Sequence, residues 1–283
     1  MSRCSRWTRS GTPDGDRRVL RSRPLAPRGP SSLLAHRQFQ DRESPTCEDG
    51  VVSNLEQHPA EEETGATVAL AVRRDVLTGR EVALGKYTVV DRLLPHTNRR
   101  MVGAWCFVDH FGPDAILAGP GMQVPSHPHC GLQTVTWLVD GEVLHRDSLG
   151  SLSMIRPGQL NLMTAGRGIA HAEVSPDGHG PSLHGLQLWI ALPAGAADGA
   201  AYFDHYADLP SRNEGGAHLT VVIGALAGLE SPARAYTPIV GADLRLEPGA
   251  STTVPLRTDW EYAALVLAGS AEIADGQIGR AHV

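Results

Sequence analysis

Short apolar runs, each ended by turn residues, constrain the fold of this chain more than any other feature. The 283 residues include 31 glycines and 20 prolines, and Phe, Tyr and Val recur in short runs between them. Long stretches with the 3.6-residue period of a helix are scarce. Many short strands joined by Gly and Pro turns are typical of sandwiches and barrels, so the sequence predicts an all-β fold.

Charge, hydropathy and cysteine content narrow the class of protein further. A formal net charge of -6 does not favour a nucleic-acid binder, which needs a basic face. The apolar stretches are too short and too polar to span a bilayer, so we expect no membrane partner. The four cysteines form no Cys-x-x-Cys pair. Free thiols and a cytoplasmic location are therefore the expectation.

The beginning of the chain differs from the rest in composition. Its first forty residues contain nine arginines and no lysine, with Pro, Ser and Gly scattered among them. We therefore predict a disordered, Arg-rich extension over residues 1–52. The run that starts at Val52 resembles a natural N-terminus, and valine codons can start bacterial translation. We hypothesise that translation begins at Val51 or Val52 and that the extension is not native.

The remaining chain divides into two related halves. We expect a first domain over residues 53–193, a polar connection over 194–216 and a second domain over 217–283. An apolar strand, a Gly turn and another strand over 261–273 resemble the pattern of 132–144, which is a weak internal repeat. The second half lacks any His-x-His, so we expect it to bind no metal. It ends soon after its hairpin, so we expect this second domain to be partial.

Two pairs of metal-binding side chains lie in the strand-rich segment of the first domain. His127 and His129 are two residues apart, as are His171 and Glu173. Alternate side chains of a strand share one face, so each pair can point to the same side. Three neutral imidazoles and one carboxylate suit Fe²⁺, Mn²⁺, Ni²⁺ or Zn²⁺. Chance pairing among thirteen histidines is the alternative for either pair alone.

Several longer motifs carry a resemblance to a known family. They are Phe107-Val-Asp-His-Phe-Gly-Pro, His127-Pro-His-Cys-Gly-Leu-Gln-Thr-Val-Thr, Gly141-Glu-Val-Leu-His-Arg-Asp-Ser-Leu-Gly, Pro157-Gly-Gln-Leu-Asn-Leu-Met-Thr-Ala-Gly-Arg-Gly-Ile-Ala-His-Ala-Glu and His184-Gly-Leu-Gln-Leu-Trp-Ile. In this order the chain resembles the pirin family of the cupin superfamily. The resemblance implies two tandem cupin barrels (double-stranded β-helix, or jelly roll), of which the second is incomplete here. It also implies one mononuclear site, usually iron, in the first barrel.

The family pattern places its ligands on four residues of this chain: His127, His129, His171 and Glu173. The resemblance implies quercetin 2,3-dioxygenase-type activity, in which a flavonol and O₂ react at the metal and Glu173 can also act as a base. Fe(II) is the expected cofactor, with Mn, Ni or Zn as alternatives. A different function is also open: a redox-sensing iron protein that regulates a partner protein without catalysis.

Four further residues are candidates for the surroundings of the metal. Gln133 stands where many pirins carry Glu, and strand alternation from His129 predicts that it faces the site and can orient a water or ligand, with a hydrogen-bonding role behind the ligands or in the core as the alternative. Arg167 is expected to pair with a carboxylate or a carbonyl. His184 is expected beside the ligands or in a structural role. Phe107 is expected to line the pocket mouth, with core packing as the alternative.

Overall fold

The structure, a computed structural model, describes residues 75–273 and 276–279. The predicted extension over residues 1–52 lies outside them. All described residues belong to one compact unit. They form the following elements: β1 (Arg80–Leu84), β2 (Thr88–Leu94), β3 (Trp105–Ala115), β4 (Gln123–His129), β5 (Leu132–Asp140), β6 (Val143–Asp147), β7 (Leu152–Ile155), β8 (Leu160–Thr164), β9 (Ile169–Val174), β10 (Ser182–Ala191), α1 (Ala194–Ala197), β11 (Tyr202–Tyr206), β12 (Ser211–Glu214), β13 (Ala217–Ile223), β14 (Ala225–Leu226), β15 (Leu229–Glu230), β16 (Gly241–Leu246), β17 (Ser270–Ile273) and β18 (Gly276–Gly279).

The prediction of an all-β fold is confirmed, and the first half is a barrel of two antiparallel sheets. Seven strands pair in the order β1-β2-β3-β10-β5-β8-β11, and four pair in the order β4-β9-β6-β7. A turn at Gly85 separates β1 from β2. Gly85 has φ +66°, and a Cβ atom there would lie 2.7 Å from the carbonyl oxygen of Gln123. Only glycine fits this turn without strain.

The two sheets of the first barrel face each other across an apolar core. Seven of its eight buried residues come from strands of both sheets, and Met122 directly precedes β4: Val90, Phe111, Met122, Val124, Leu138, Val143, Ile155 and Leu183. Burying large apolar side chains contributes about 1.5–3 kcal/mol each. This cluster fills one part of the interior, and the polar side chains described below occupy another.

The outer face of the seven-stranded sheet packs against the second half of the chain. Val135 and Trp137 of β5 and two leucines of β8 join a cluster with Val222, Ile223 and Ile239. The indole N–H of Trp105 also donates to the carbonyl oxygen of Val240 at 3.1 Å. Residues of β5 that face away from the first barrel's interior are therefore buried against the second half.

The second half has fewer strands than its sequence pattern predicts. β12, β13 and β16 form a three-stranded sheet, and two hairpins pair β14 with β15 and β17 with β18. The apolar runs at 218–223, 251–256 and 261–268 each predict a strand. The first is confirmed as part of β13, but the other two predictions are wrong, since no strand is assigned there. A strand needs a hydrogen-bonded neighbour, and neither segment has a ladder partner among the described residues.

The segment predicted as a connection contributes to the first barrel. The aromatic run at 200–206 predicts a short helix or turn, but the structure has a strand there, β11, which pairs along β8 at the edge of the seven-stranded sheet. The polar and aromatic residues Tyr202–Tyr206 alternate across this edge, so the sheet and not the local composition decides their conformation.

Candidate metal centre

The register between β4 and β9 brings the two predicted pairs together. His127 lies opposite His171, and His129 lies opposite Ile169. His171 and Glu173 are two residues apart on β9, whose burial alternates along the strand. Strand alternation therefore points both histidines of β4 and both polar residues of β9 into the barrel, as the sequence predicted.

The Nε2 atoms of the three histidines converge. His171 Nε2 lies 3.1 Å from His129 Nε2 and 3.2 Å from His127 Nε2. His171 and His129 are buried, with 1% and 8% exposure, and His127 is partly exposed. Three imidazole nitrogens therefore lie close together inside the barrel, and solvent reaches them on the His127 side.

Burial keeps two of these rings uncharged. Desolvation is the main reason why the pKa of His129 is lowered to about 4. The neighbouring rings of His171 and His127 also lower this pKa, whereas the Glu173 carboxylate raises it. Desolvation is also the main reason why the pKa of His171 is lowered to about 3. The rings of His127 and His145 lower this pKa as well, whereas Asp147 raises it. Both rings are neutral at pH 7, so each has a nitrogen lone pair for a metal ion.

Hydrogen bonding of His127 provides a test of whether a cation fits. Its Nδ1 lies 2.9 Å from the carbonyl oxygen of Pro125. A carbonyl only accepts, so Nδ1 carries a proton, and with that single proton on the ring Nε2 offers a lone pair that faces His171. Ligating histidines usually donate their second nitrogen in this way. Two nitrogens bound at ~2.1 Å and at right angles would be ~3.0 Å apart, close to the observed separations. The residues fit a metal ion.

Glu173 supplies a carboxylate within 4.8 Å of ring nitrogens of His171 and His145, a group separate from that of His127, His129 and His171. Its Oε1 accepts the Thr136 hydroxyl at 2.8 Å, and the same hydroxyl lies 3.0 Å from Gln187 Oε1. A hydroxyl has one proton, so the Gln187 amide must present its N–H₂ if both contacts are hydrogen bonds. Thr136 thus holds one carboxylate oxygen of Glu173, which is 6% exposed.

An aromatic wall adjoins the imidazoles. Phe107 stacks on Trp189 with ring centroids 3.9 Å apart, and Trp189 meets His129 edge-on at 4.9 Å. Arg92 pairs with buried Asp109 through two 2.8 Å hydrogen bonds, and its guanidinium lies 4.5 Å from the Phe107 ring centroid. Phe107 is brought next to the site, 7% exposed and packed as part of this wall.

Gln133 does not face the imidazoles, which corrects the alternation argument. Its Nε2 donates to Thr164 Oγ1 at 2.9 Å and to the carbonyl oxygen of Arg234 at 3.2 Å. β4 ends at His129, and a turn with Gly131 at φ +66° leads into β5 of the other sheet. The alternation from His129 is interrupted there, so Gln133 lies on the outer face of β5 against the second half.

The structure does not bring Arg167 or His184 into the cluster. Arg167 is exposed, and its backbone N–H donates to the carbonyl oxygen of Gly199 at 3.0 Å. His184 is buried, with its Nε2 2.9 Å from Nε2 of His110. Their predicted places beside the metal are not supported by these contacts.

Two residues lie behind His171: His145, for which a supporting or structural role is the expectation from the sequence, and Asp147, which sequence reasoning missed. His145 Nδ1 lies 3.4 Å from His171 Nδ1, and His145 Nε2 lies 3.1 Å from Asp147 Oδ2. The i, i+2 spacing of His145 and Asp147 is the same signal that located the ligand pairs. Thr136 could not be recognised from the sequence, because its contact with Glu173 depends on β5 lying across the barrel from β9.

Comparison with known proteins defines the class and then the family. The fold superposes on a solved structure of quercetin 2,3-dioxygenase from Acinetobacter baumannii with a TM-score of 0.71. The two sequences are 43% identical, and the match covers 74% of this chain and 69% of that one. The two-sheet barrel is thus a cupin-type jelly roll.

The family model Pirin matches residues 87–190. A "Pirin-like protein" of Caulobacter vibrioides is 39% identical over 71% of this chain and 72% of its own length. The chain belongs to the pirin family.

A further relative carries the name of an enzyme. "Putative quercetin 2,3-dioxygenase PA1205" of Pseudomonas aeruginosa is 50% identical over 198 residues, which are 70% of this chain. The match spans 62% of the length of that relative. In the described part of the chain, no helix is long and apolar enough to cross a membrane.

Proposed function

We propose that this protein binds one divalent metal ion through His127, His129, His171 and Glu173 and cleaves the ring of a flavonol-type substrate with O₂. The observation that carries the proposal is the convergence of three imidazole Nε2 atoms, of which that of His171 lies 3.1 and 3.2 Å from the other two. A buried carboxylate, that of Glu173, lies within 4.8 Å of a ring nitrogen of His171. The names of the Pseudomonas and Acinetobacter relatives support the choice of reaction.

The donor set favours Fe(II), with Mn, Ni or Zn as alternatives. Three imidazoles and one carboxylate suit borderline divalent ions and leave coordination positions open on a six-coordinate ion. When bound, such an ion polarises and orients an oxygen-bearing substrate.

The protein's own residues would bind and orient the flat substrate. His127 is the partly exposed ligand, so the substrate would enter on its side. The stacked rings of Phe107 and Trp189 provide an apolar surface next to His129. The Arg92–Asp109 pair beneath Phe107 is internally neutralised, which keeps this wall compatible with an aromatic ring.

Glu173 is the candidate base. One of its oxygens is held by the Thr136 hydroxyl, which leaves the other oxygen to bind the metal or to take the proton of a substrate hydroxyl. A base must come within hydrogen-bond reach of that proton. Thr136 therefore acts as an anchor that limits how far the carboxylate can swing.

A redox-sensing protein that regulates a partner is the second candidate, and the enclosure of the site favours it. His129, His171 and Glu173 are each under 10% exposed, so access for a large substrate depends on the His127 side. An enzyme and a sensor differ in one measurable way: only the enzyme turns over an aromatic substrate at a rate that depends on the metal.

The test uses protein purified without a His tag and loaded anaerobically with Fe(II). Loss of flavonol absorbance after admission of air is followed for wild type and for His127→Ala. Metal-dependent turnover by wild type alone supports the dioxygenase. Stoichiometric metal without any turnover contradicts it and leaves the redox-sensing candidate.

A further inference from the structure

A chain of polar contacts leads away from the metal position behind His171. His171 Nδ1 lies 3.4 Å from His145 Nδ1, which is long for a hydrogen bond, and His145 Nε2 lies 3.1 Å from Asp147 Oδ2. Asp147 is opposite His171 in the ladder between β6 and β9. The side chains of His145 and Asp147 are 2% and 0% exposed, so water does not compete for these contacts.

Asp147 is a fixed acceptor at the end of this chain. Its Oδ1 accepts the backbone N–H groups of Leu149 at 2.9 Å and Ser151 at 3.0 Å. Burial raises the pKa of Asp147, but hydrogen bonds from His145, Ser151 and Leu149 outweigh burial and hold the pKa below its ordinary value. The carboxylate is therefore ionised and has no proton to donate.

The position of His145 is also fixed. Its ring stacks on Phe203 of β11, with centroids 4.3 Å apart and an interplanar angle of 15°. A 180° flip of the ring would keep this stacking but would place a carbon atom where Nε2 faces Asp147, so the contact with Asp147 selects one orientation. Its two nitrogens therefore keep their separate partners.

When both rings are neutral, only one placement of their protons satisfies all of these contacts. Asp147 only accepts, so His145 carries its proton on Nε2 and offers a lone pair at Nδ1. His171 must then carry its proton on Nδ1, which leaves the lone pair on its Nε2. That atom is the one shared by the contacts with His127 and His129.

We propose that Asp147 and His145 are positioning residues, which set the tautomer and ring orientation of His171 so that its Nε2 lone pair faces the metal position before the ion arrives. The inference rests on the proposed metal site and adds the two residues that hold one of its ligands in position. Partners that orient a ligating histidine commonly change metal affinity about 10–100-fold when they are lost.

Substitution Asp147→Asn reverses the direction of the hydrogen bond between residue 147 and His145. Oδ1 of the new amide still accepts from Leu149 and Ser151, so the amide N–H₂ is turned toward His145. His145 then carries its proton on Nδ1, opposite the Nδ1 proton of His171. We expect zinc affinity to fall about 10–100-fold, because His171 must change tautomer or rotate.

Two further variants separate positioning from charge and from folding. His145→Phe keeps the stacking on Phe203 but removes the acceptor for His171, so zinc affinity should fall in the same range. Asp177→Asn removes one negative charge at an exposed position and should leave the affinity unchanged. Thermal unfolding of each metal-free variant reports whether the barrel still forms.

Two measurements test the proposal: competition for Zn²⁺ against a chromophoric chelator, and imidazole ¹⁵N NMR of metal-free and zinc-loaded protein. We expect the His145 proton on Nε2 in wild type and on Nδ1 in Asp147→Asn. A wild-type His145 protonated on Nδ1, or variants that bind zinc like wild type, would overturn the proposal. If wild type binds no zinc, the metal site itself fails, while the tautomers of the metal-free protein still decide the role of Asp147.

Discussion

Replacing Gln133 by Glu tests which side of β5 faces the metal. Gln133 is fully buried, and its Nε2 donates to two acceptors, Thr164 Oγ1 and the carbonyl oxygen of Arg234. In Gln133→Glu the Nε2 atom becomes an oxygen. The Thr164 hydroxyl can turn to donate, but the Arg234 carbonyl cannot, so an ionised Glu would lie against an acceptor in a buried place.

The cost of Gln133→Glu follows from the proton that the new side chain needs. A protonated Glu can donate to the Arg234 carbonyl and restore the contact. Keeping a carboxyl of ordinary pKa ~4.3 protonated at pH 7 costs about 3.7 kcal/mol, at 1.36 kcal/mol per unit. The folded pKa is raised, so the unfolded state loses its proton first. The deficit therefore grows with pH by about 1.4 kcal/mol per unit above pH ~4.3, until the folded state also ionises.

Urea unfolding at pH 5, 6 and 7 measures the deficit, and Gln133→Met is the matched control. The Met variant has no titrating group, so its deficit of about 1–2 kcal/mol should not change with pH. Zinc affinity should match wild type in both variants. Wild-type stability for Gln133→Glu, together with tighter zinc binding, would refute the reasoning and place Gln133 at the metal.

Other predictions concern the ligands and their anchors. His129→Ala should lose most bound metal in elemental analysis, because it removes a ligand, whereas His218→Ala in the second half should keep the wild-type content. Thr136→Val should weaken zinc binding about 10-fold by freeing the Glu173 carboxylate, measured by chelator competition; unchanged affinity would contradict the anchoring role. The folded pKa values of His129 and His171, about 4 and 3, lie below the unfolded value of 6.5. Because the unfolded chain then binds more protons, the free energy of unfolding of metal-free protein should fall as the pH drops below ~6.5, by up to about 1.4 kcal/mol per unit for each histidine. Urea unfolding from pH 7 to pH 4 checks this, and a flat profile would show that these rings are not buried and neutral.

The shared face of each predicted ligand pair could be predicted because it depends on strand periodicity alone. His127 and His129 share a face of β4, and His171 and Glu173 share a face of β9, as i, i+2 spacing requires. The sequence could also indicate an all-β fold from its turn-separated apolar runs. Both inferences use information within a few residues of each position.

Features that depend on the pairing of distant strands could not be predicted in this way. Gln133 turned out to face the second half because the turn at Gly131 passes the chain from one sheet to the other. Tyr202–Tyr206 forms a strand because β8 offers an edge. The contact of Thr136 with Glu173 joins strands of opposite sheets. None of these has a local signature.

The metal content of the protein tests the central claim most directly. Protein purified without a His tag would be made metal-free with a chelator, reloaded with one divalent metal at a time and analysed for elemental metal per chain. The four-ligand site predicts about one equivalent for wild type and a large loss for His171→Ala. Wild-type protein that folds but retains no metal, or an alanine variant that retains a full equivalent, would contradict it.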